Sequence, residues 1–116
     1  MAGSWSLDVR IRPVRDDVSL VSVTGEVDIA TAPTWRSALA PVLADPTLRL
    51  LVCDLSGLSF LGAAGVSVLL DTHATLAARG AELHVVAETR VVLRPLAVTG
   101  LLNLLPVSPD VQSALR

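Results

Sequence analysis

Residues 55–70, Leu55-Ser56-Gly57-Leu58-Ser59-Phe60-Leu61-Gly62-Ala63-Ala64-Gly65-Val66-Ser67-Val68-Leu69-Leu70, form a sixteen-residue run without charge between Asp54 and Asp71. The run begins as the end of a strand expected over Leu48–Asp54 and finishes inside a helix, with a tight loop holding Gly57, Gly62 and Gly65 between them. A strand that feeds through small residues into a helix leaves the helix's first N–H groups facing open space, where negative charge and close contact with a partner are favoured. Any specific function is expected there. The apolar tip Phe60-Leu61, followed by Gly62-Ala63-Ala64-Gly65, offers a small flat surface for docking. The plainer explanation of those glycines is that they only let the helix pack closely on the sheet.

On the N-terminal side of this run, Leu48 to Cys53 is apolar except for Arg49, as in a strand buried on both faces of a parallel sheet. On the C-terminal side a helix is expected from Gly62 to Arg79, with Val66, Leu69, Leu70, His73 and Ala77 on one face and Gly80 as its left-handed stop. Ala81–Ala87 reads as the next strand. Thr89 can cap a third helix that reaches Thr99, interrupted at Pro95 and closed by Gly100. A short strand is expected within Leu101–Val107. Ser108-Pro109 then opens a last helix, with Ser as cap and Pro at its first position.

Toward the N-terminus, Trp5, Leu7, Val9 and Ile11 alternate with polar residues, the pattern of a half-buried strand that Pro13 ends or holds at a sheet edge. Val18–Thr24 follows as a second, antiparallel strand. Its apolar residues fall on both parities, which a central position or a bulge explains. Gly25-Glu26-Val27-Asp28 leads out of it, and Thr31 can cap a helix with Pro33 in its first turn. Trp35, Leu39, Val42 and Leu43 form that helix's apolar stripe, and Pro41 is expected to kink it or end it early. The order β, β, α, β, α, β, α, β, α implies an α/β domain with right-handed crossovers and a mixed, mostly parallel sheet. With 116 residues, one domain spanning 1–116 is expected.

Composition removes several functions. All nine basic residues are Arg, eleven residues are acidic, and the net charge is −2. The densest basic group, Arg10, Arg12 and Arg15, makes no stripe, and Trp5, Trp35 and Phe60 make no stacking platform, so no nucleic-acid partner is expected. The start, MAGSWSLDVR, lacks the apolar core of a signal peptide. The sixteen-residue run is too short and too polar to insert in a membrane. A cytoplasmic location is the default expectation. Cys53, the one cysteine, excludes an internal disulfide and a cysteine-based metal site, and in an apolar strand it is expected to be an inert thiol. The absence of Lys and the Ala-, Val-, Leu- and Arg-rich composition point to a GC-rich bacterial genome.

No catalytic constellation, cofactor or metal is expected. Gly57 to Gly62 has the spacing that opens a P-loop, but Ala63 and Ala64 stand where Lys and Ser/Thr are required. Gly57-Leu58-Ser59-Phe60-Leu61 lacks the closing Gly of a nucleophile elbow. His73 and His84, with Asp71 or Glu82 nearby, read as ordinary structural residues rather than metal ligands. Glu26 and Asp28 are balanced between a solvated turn and an acidic patch for a partner.

Four stretches taken together resemble the STAS domain, the fold of bacterial anti-sigma factor antagonists. They are Gly25-Glu26-Val27-Asp28 with Thr31-Ala32-Pro33; Asp54-Leu55-Ser56-Gly57-Leu58-Ser59-Phe60; Gly65-Val66-Ser67-Val68-Leu69-Leu70; and Val98-Thr99-Gly100-Leu101 before Leu104-Leu105-Pro106-Val107. The resemblance implies helices packed mainly on one face of the sheet. It also implies a non-catalytic protein that docks an anti-sigma factor or related serine kinase and so frees a sigma factor. In that family a Ser or Thr at the start of the second helix takes a phosphate, whose charge and bulk release the complex.

Aligning Gly65 with the family glycine puts Gly62 at the usual Asp, Ala63 next, and Ala64 at the phospho-acceptor, where a methyl group takes no phosphate. The partner surface implied is Gly25, Glu26, Asp28, Ser59, Phe60, Leu61, Gly62, Ala63, Ala64, Gly65 and Ser67. The reading preferred is an antagonist held in the equivalent of the unmodified state. The alternatives are a STAS scaffold or subunit in a signalling or transporter-associated complex, and a phosphorylation switch moved to Ser59 or Ser67.

Overall fold

A computed structural model of the chain describes residues 7–116; the expected strand positions Trp5 and Ser6 lie outside them. In chain order the elements are β1 (Asp8–Arg15), β2 (Val18–Val27), α1 (Ala32–Leu43), β3 (Leu50–Leu61), α2 (Ala63–Ala77), β4 (Glu82–Val86), α3 (Arg90–Val98), α4 (Leu101–Leu104), β5 (Val107–Ser108) and α5 (Val111–Leu115). The strands lie side by side in the order β1-β2-β3-β4-β5. β1 is antiparallel to β2, and every later pair is parallel, as the alternation of strands and helices requires.

The two faces of the sheet are covered unequally. Val21 and Val23 of β2, Leu51, Cys53 and Leu55 of β3, and Leu83 and Val85 of β4 face α1, α2 and α3, whose Trp35, Leu39, Val66, Leu69, Leu76, Val92 and Leu96 complete the main core. Leu20, Val52 and Val86 point the other way and are covered by Ala114 of α5. This explains why the apolar residues of β2 fall on both parities: it is an inner strand with packing on each side. Arg36 of α1 and Asp71 of α2 form a 2.8 Å ion pair across the helix layer.

Several boundaries depart from expectation, each for a local reason. β3 does not stop at Asp54 but runs on through Gly57 to Leu61, because β2 also continues, to Val27, and supplies a partner: Thr24 faces Gly57, Gly25 faces Leu58 and Glu26 faces Phe60. The expected loop therefore shrinks to Gly62. Gly25, at φ +112°, absorbs the change of register between Gly25 and Glu26. Pro13 lies inside β1, opposite Ser19, on the strand that edges the sheet among the described residues, where a missing N–H costs little.

α1 runs through Pro41 to Leu43. In α2 the buried face holds Val66, Val68, Leu69, Thr72 and Leu76; Leu70 and Ala77 are exposed, and His73 is half-buried. The helix ends at Ala77, with Gly80 in the left-handed region as expected. Leu101–Leu104 is a short helix and the last strand is Val107–Ser108. Because Ser108 pairs with Val86, it is not a helix cap; Asp110 caps α5, its carboxylate accepting from Ser113 N at 2.7 Å. Thr31 and Thr89 stand at the N-cap positions of α1 and α3, but neither hydroxyl bonds the helix amides. Among the described residues no helix is long and apolar enough to cross a membrane.

Candidate functional site

The C-terminal ends of β2 and β3 and the N-terminus of α2 meet at one edge of the domain. Gly62 is the junction. Its backbone is extended, its N–H donates to Val27 O at 2.9 Å, and its carbonyl accepts from Gly65 N and Val66 N. The helix therefore starts directly against the end of β2, with the amides of Ala63 and Ala64 at its open end. Gly65 is required by close approach: a Cβ there would overlap Leu61 Cδ1 and stand 2.7 Å from Val27 Cγ1. Ala63 is exposed, Ala64 is half-buried against the core, and Ser67 is exposed on the outer side of the helix one turn beyond Ala63. The tip carries no charge.

The β2 end is held by a compact turn. Asp28 Oδ1 accepts from Ala30 N at 2.9 Å and Thr31 N at 3.0 Å. The Thr31 hydroxyl donates to Glu26 O at 2.7 Å and accepts from Asp28 N at 2.9 Å. These bonds, that from the Thr31 amide foremost, hold the Asp28 carboxyl below its ordinary range against the opposing effect of desolvation. Asp28 is thus a turn builder, while Glu26 remains an exposed side chain beside Phe60 in the ladder. The turn also lifts Ile29 into solvent, 85% exposed. The Ser59 hydroxyl donates to Gly25 O at 3.2 Å.

All the residues singled out by sequence therefore lie on these adjoining elements: Gly25, Glu26 and Asp28 on β2 and its turn, Ser59, Phe60 and Leu61 at the end of β3, Gly62, Ala63, Ala64 and Gly65 at the tip, and Ser67 on the exposed side of α2. Two of them are not on the surface as expected: Leu61 and Gly65 are buried, because the start of α2 packs on the end of the sheet there. The wall on the other side was not anticipated. A groove of about 500 Å³ separates Phe60 and Leu61 from Arg90, Val91, Arg94, Pro95 and Val98 of α3. Its signal is present in the sequence as a second apolar stripe, Val91-Pro95-Val98 at helical spacing, on the face next to the buried Val92 and Leu96.

Two other groups behave as structural residues. Cys53 is fully buried, and burial, helped by the nearby Asp54 charge, pushes its thiol up to about 12. His84 Nε2 lies 2.8 Å from Ser108 Oγ, joining β4 to β5, and desolvation lowers its pKa against the opposing charge of Glu82.

The STAS domain family model matches residues 10–114. The anti-sigma-F factor antagonist RsfA of Mycobacterium tuberculosis is 33% identical over 101 residues, covering 86% of this chain and 79% of RsfA. The crystal structure of an anti-sigma factor antagonist from Mycobacterium paratuberculosis is 38% identical and superposes with a TM-score of 0.85 over 95% of this chain and 92% of that one. The unphosphorylated anti-sigma factor antagonist SpoIIAA of Bacillus, at 15% identity, shares the fold, with a TM-score of 0.79 over 92% of this chain and 93% of that one.

Proposed function

Because the chain belongs to the STAS domain family, we propose that it is a non-catalytic cytoplasmic binding protein of the anti-sigma factor antagonist type, which docks an anti-sigma factor and so frees a sigma factor. The observation that carries this reading is the identity of 33–38% to antagonists over most of their length. The geometry supports it at the tip. Gly62, Ala63 and Ala64 present an uncharged surface of small residues, with Gly65 buried beneath them, fixed to the sheet by the Gly62–Val27 hydrogen bond and flanked by an exposed Phe60. Such a surface admits close backbone approach and loses little side-chain entropy on contact.

Ala64 occupies the phospho-acceptor position in this reading, so the protein binds without the usual release step. The test is a binding assay of the untagged chain against each anti-sigma kinase of its own organism, with and without ATP. One kinase is expected to bind, and ATP is expected not to release it. Ala64→Glu, which places a charge on a desolvated surface, is expected to weaken the complex ~100-fold or more. Ala64→Ser is expected to take phosphate from the same kinase and to make release ATP-dependent. ATP-driven release of the wild type, with phosphate on Ser59 or Ser67, would move the switch to those residues. If no kinase binds, the antagonist role falls.

A further inference from the structure

We propose that the groove between the end of β3 and α3 is a second contact surface for the anti-sigma factor, receiving a segment that carries a large apolar residue flanked by carboxylates. The inference rests on the antagonist reading and adds the chemistry of the partner segment. Three observations carry it.

The first is uncovered apolar surface. Phe60 is 48% exposed, Val91 43% and Val98 78%, and all three line the same groove of about 500 Å³ with Pro95 between the two valines. Several large apolar side chains around one depression are a feature that solvent alone does not favour. The second is charge. Arg90 and Arg94, one helical turn apart, stand on the rim of this groove. The ion pairs among the described residues are Arg10–Asp8 and Arg36–Asp71, so both guanidiniums are left for an outside carboxylate. Glu26, opposite Phe60 in the ladder and exposed, puts the other sign on the β2 side of Phe60, so an acidic segment fits best with its carboxylates over α3. Both arginines also line a neighbouring depression that they share with Glu88, with which neither forms an ion pair.

The third observation is continuity. A Cβ on Gly62 would stand 3.0 Å from the Phe60 ring, so this ring forms both the edge of the α2 tip and one wall of the groove. A partner seated on the tip covers Phe60 and reaches α3 without a gap.

The test uses the anti-sigma factor that binds the wild-type chain, titrated calorimetrically with Arg94→Glu, Val98→Asp and, as a distant control on the edge strand, Arg12→Glu. Arg94→Glu and Val98→Asp are each expected to weaken binding ~10-fold or more with unchanged circular dichroism, and Arg12→Glu to bind as the wild type does. Binding of the wild type should fall with added salt, and the double variant R90Q/R94Q should flatten that dependence. Undiminished binding by Arg94→Glu and Val98→Asp, alongside loss in Ala64→Glu, overturns the groove and leaves the antagonist role standing. Failure of every anti-sigma factor to bind the wild type overturns both. A wild-type dimer in light scattering that Val98→Asp dissociates, without change in anti-sigma binding, assigns the groove to a second copy and also overturns the proposal.

Discussion

A methyl group at position 65 would collide with Leu61 and with the stiff Val27 side chain. Replacing a mid-helix Gly by Ala normally gains about 1 kcal/mol, whereas overpacking a core costs ~1–3 kcal/mol. Because Leu61 can rotate and Val27 cannot, Gly65→Ala is expected to be mildly destabilising and Gly65→Val to lose ~2–3 kcal/mol in urea unfolding. Asp28 offers a second residue-scale test. Its folded pKa lies below the usual 3.8, so the contribution of its turn is present above that value and is lost as pH falls through the lower folded pKa. The amide resonances of Ala30 and Thr31 should therefore titrate with a midpoint below 3.8, and Asp28→Ala should lower Tm while Asp28→Asn, which keeps the acceptor oxygen, should lower it less. Sequence marked Gly65 and Asp28 as positions of interest. It offered close packing for the one and a turn for the other beside partner contact, and could not choose: the Gly65 contact depends on Val27 from another strand, and the Asp28 turn, though local, is a matter of backbone geometry that residue types alone leave open.

At the scale of elements, β3 is the instructive case. Ser56, Gly57 and Ser59 read locally as loop, yet the ladder to β2 keeps them extended to Leu61. Tertiary pairing overrides weak local preference. The same cause hid the cap of α5, since Ser108 looks like a helix start until its pairing with Val86 is known. By contrast α1 and α2 were legible from apolar spacing and α3 from its bounding Thr89 and Gly100, and so was the tip, because small residues between a strand and a helix have few other uses. The groove wall on α3 was missed because Val91 and Val98 resemble core residues until the fold shows Val92 and Leu96 taking that place. α5 itself carries a prediction. It covers Leu20, Val52 and Val86 on the otherwise open face, so removing residues 109–116 should cost about 2 kcal/mol or more and raise binding of a hydrophobic dye.

For the molecule as a whole, the sheet order places β3 at the centre, with Cys53 sealed inside it. The thiol is neutral across the physiological range, its pKa pushed up to about 12 by burial. Folding favours the protonated thiol. That contribution is complete below the ordinary value of 9.0 and is lost as pH rises from there toward 12, so alkaline unfolding should be eased by this residue. Under native conditions a thiol reagent should label Cys53 only as fast as the sheet opens globally, and labelling in urea should track the unfolding transition seen by circular dichroism. The alternation of strands and helices was enough to read this architecture. The asymmetry of its two faces came from the family resemblance rather than from the alternation, and the one helix on the lesser face is only five residues long.

The edges of the sheet bear on how much of the protein a cell can hold. β1 ends the sheet on one side with Pro13, a shift of register at Val14 and exposed Arg10, Arg12 and Arg15; β5 ends it on the other with only two residues. Each is a poor template on which another chain could add a strand. A regulator that works by occupying its target mole for mole must accumulate to the level of that target. Edges that discourage strand addition help such a protein reach that concentration.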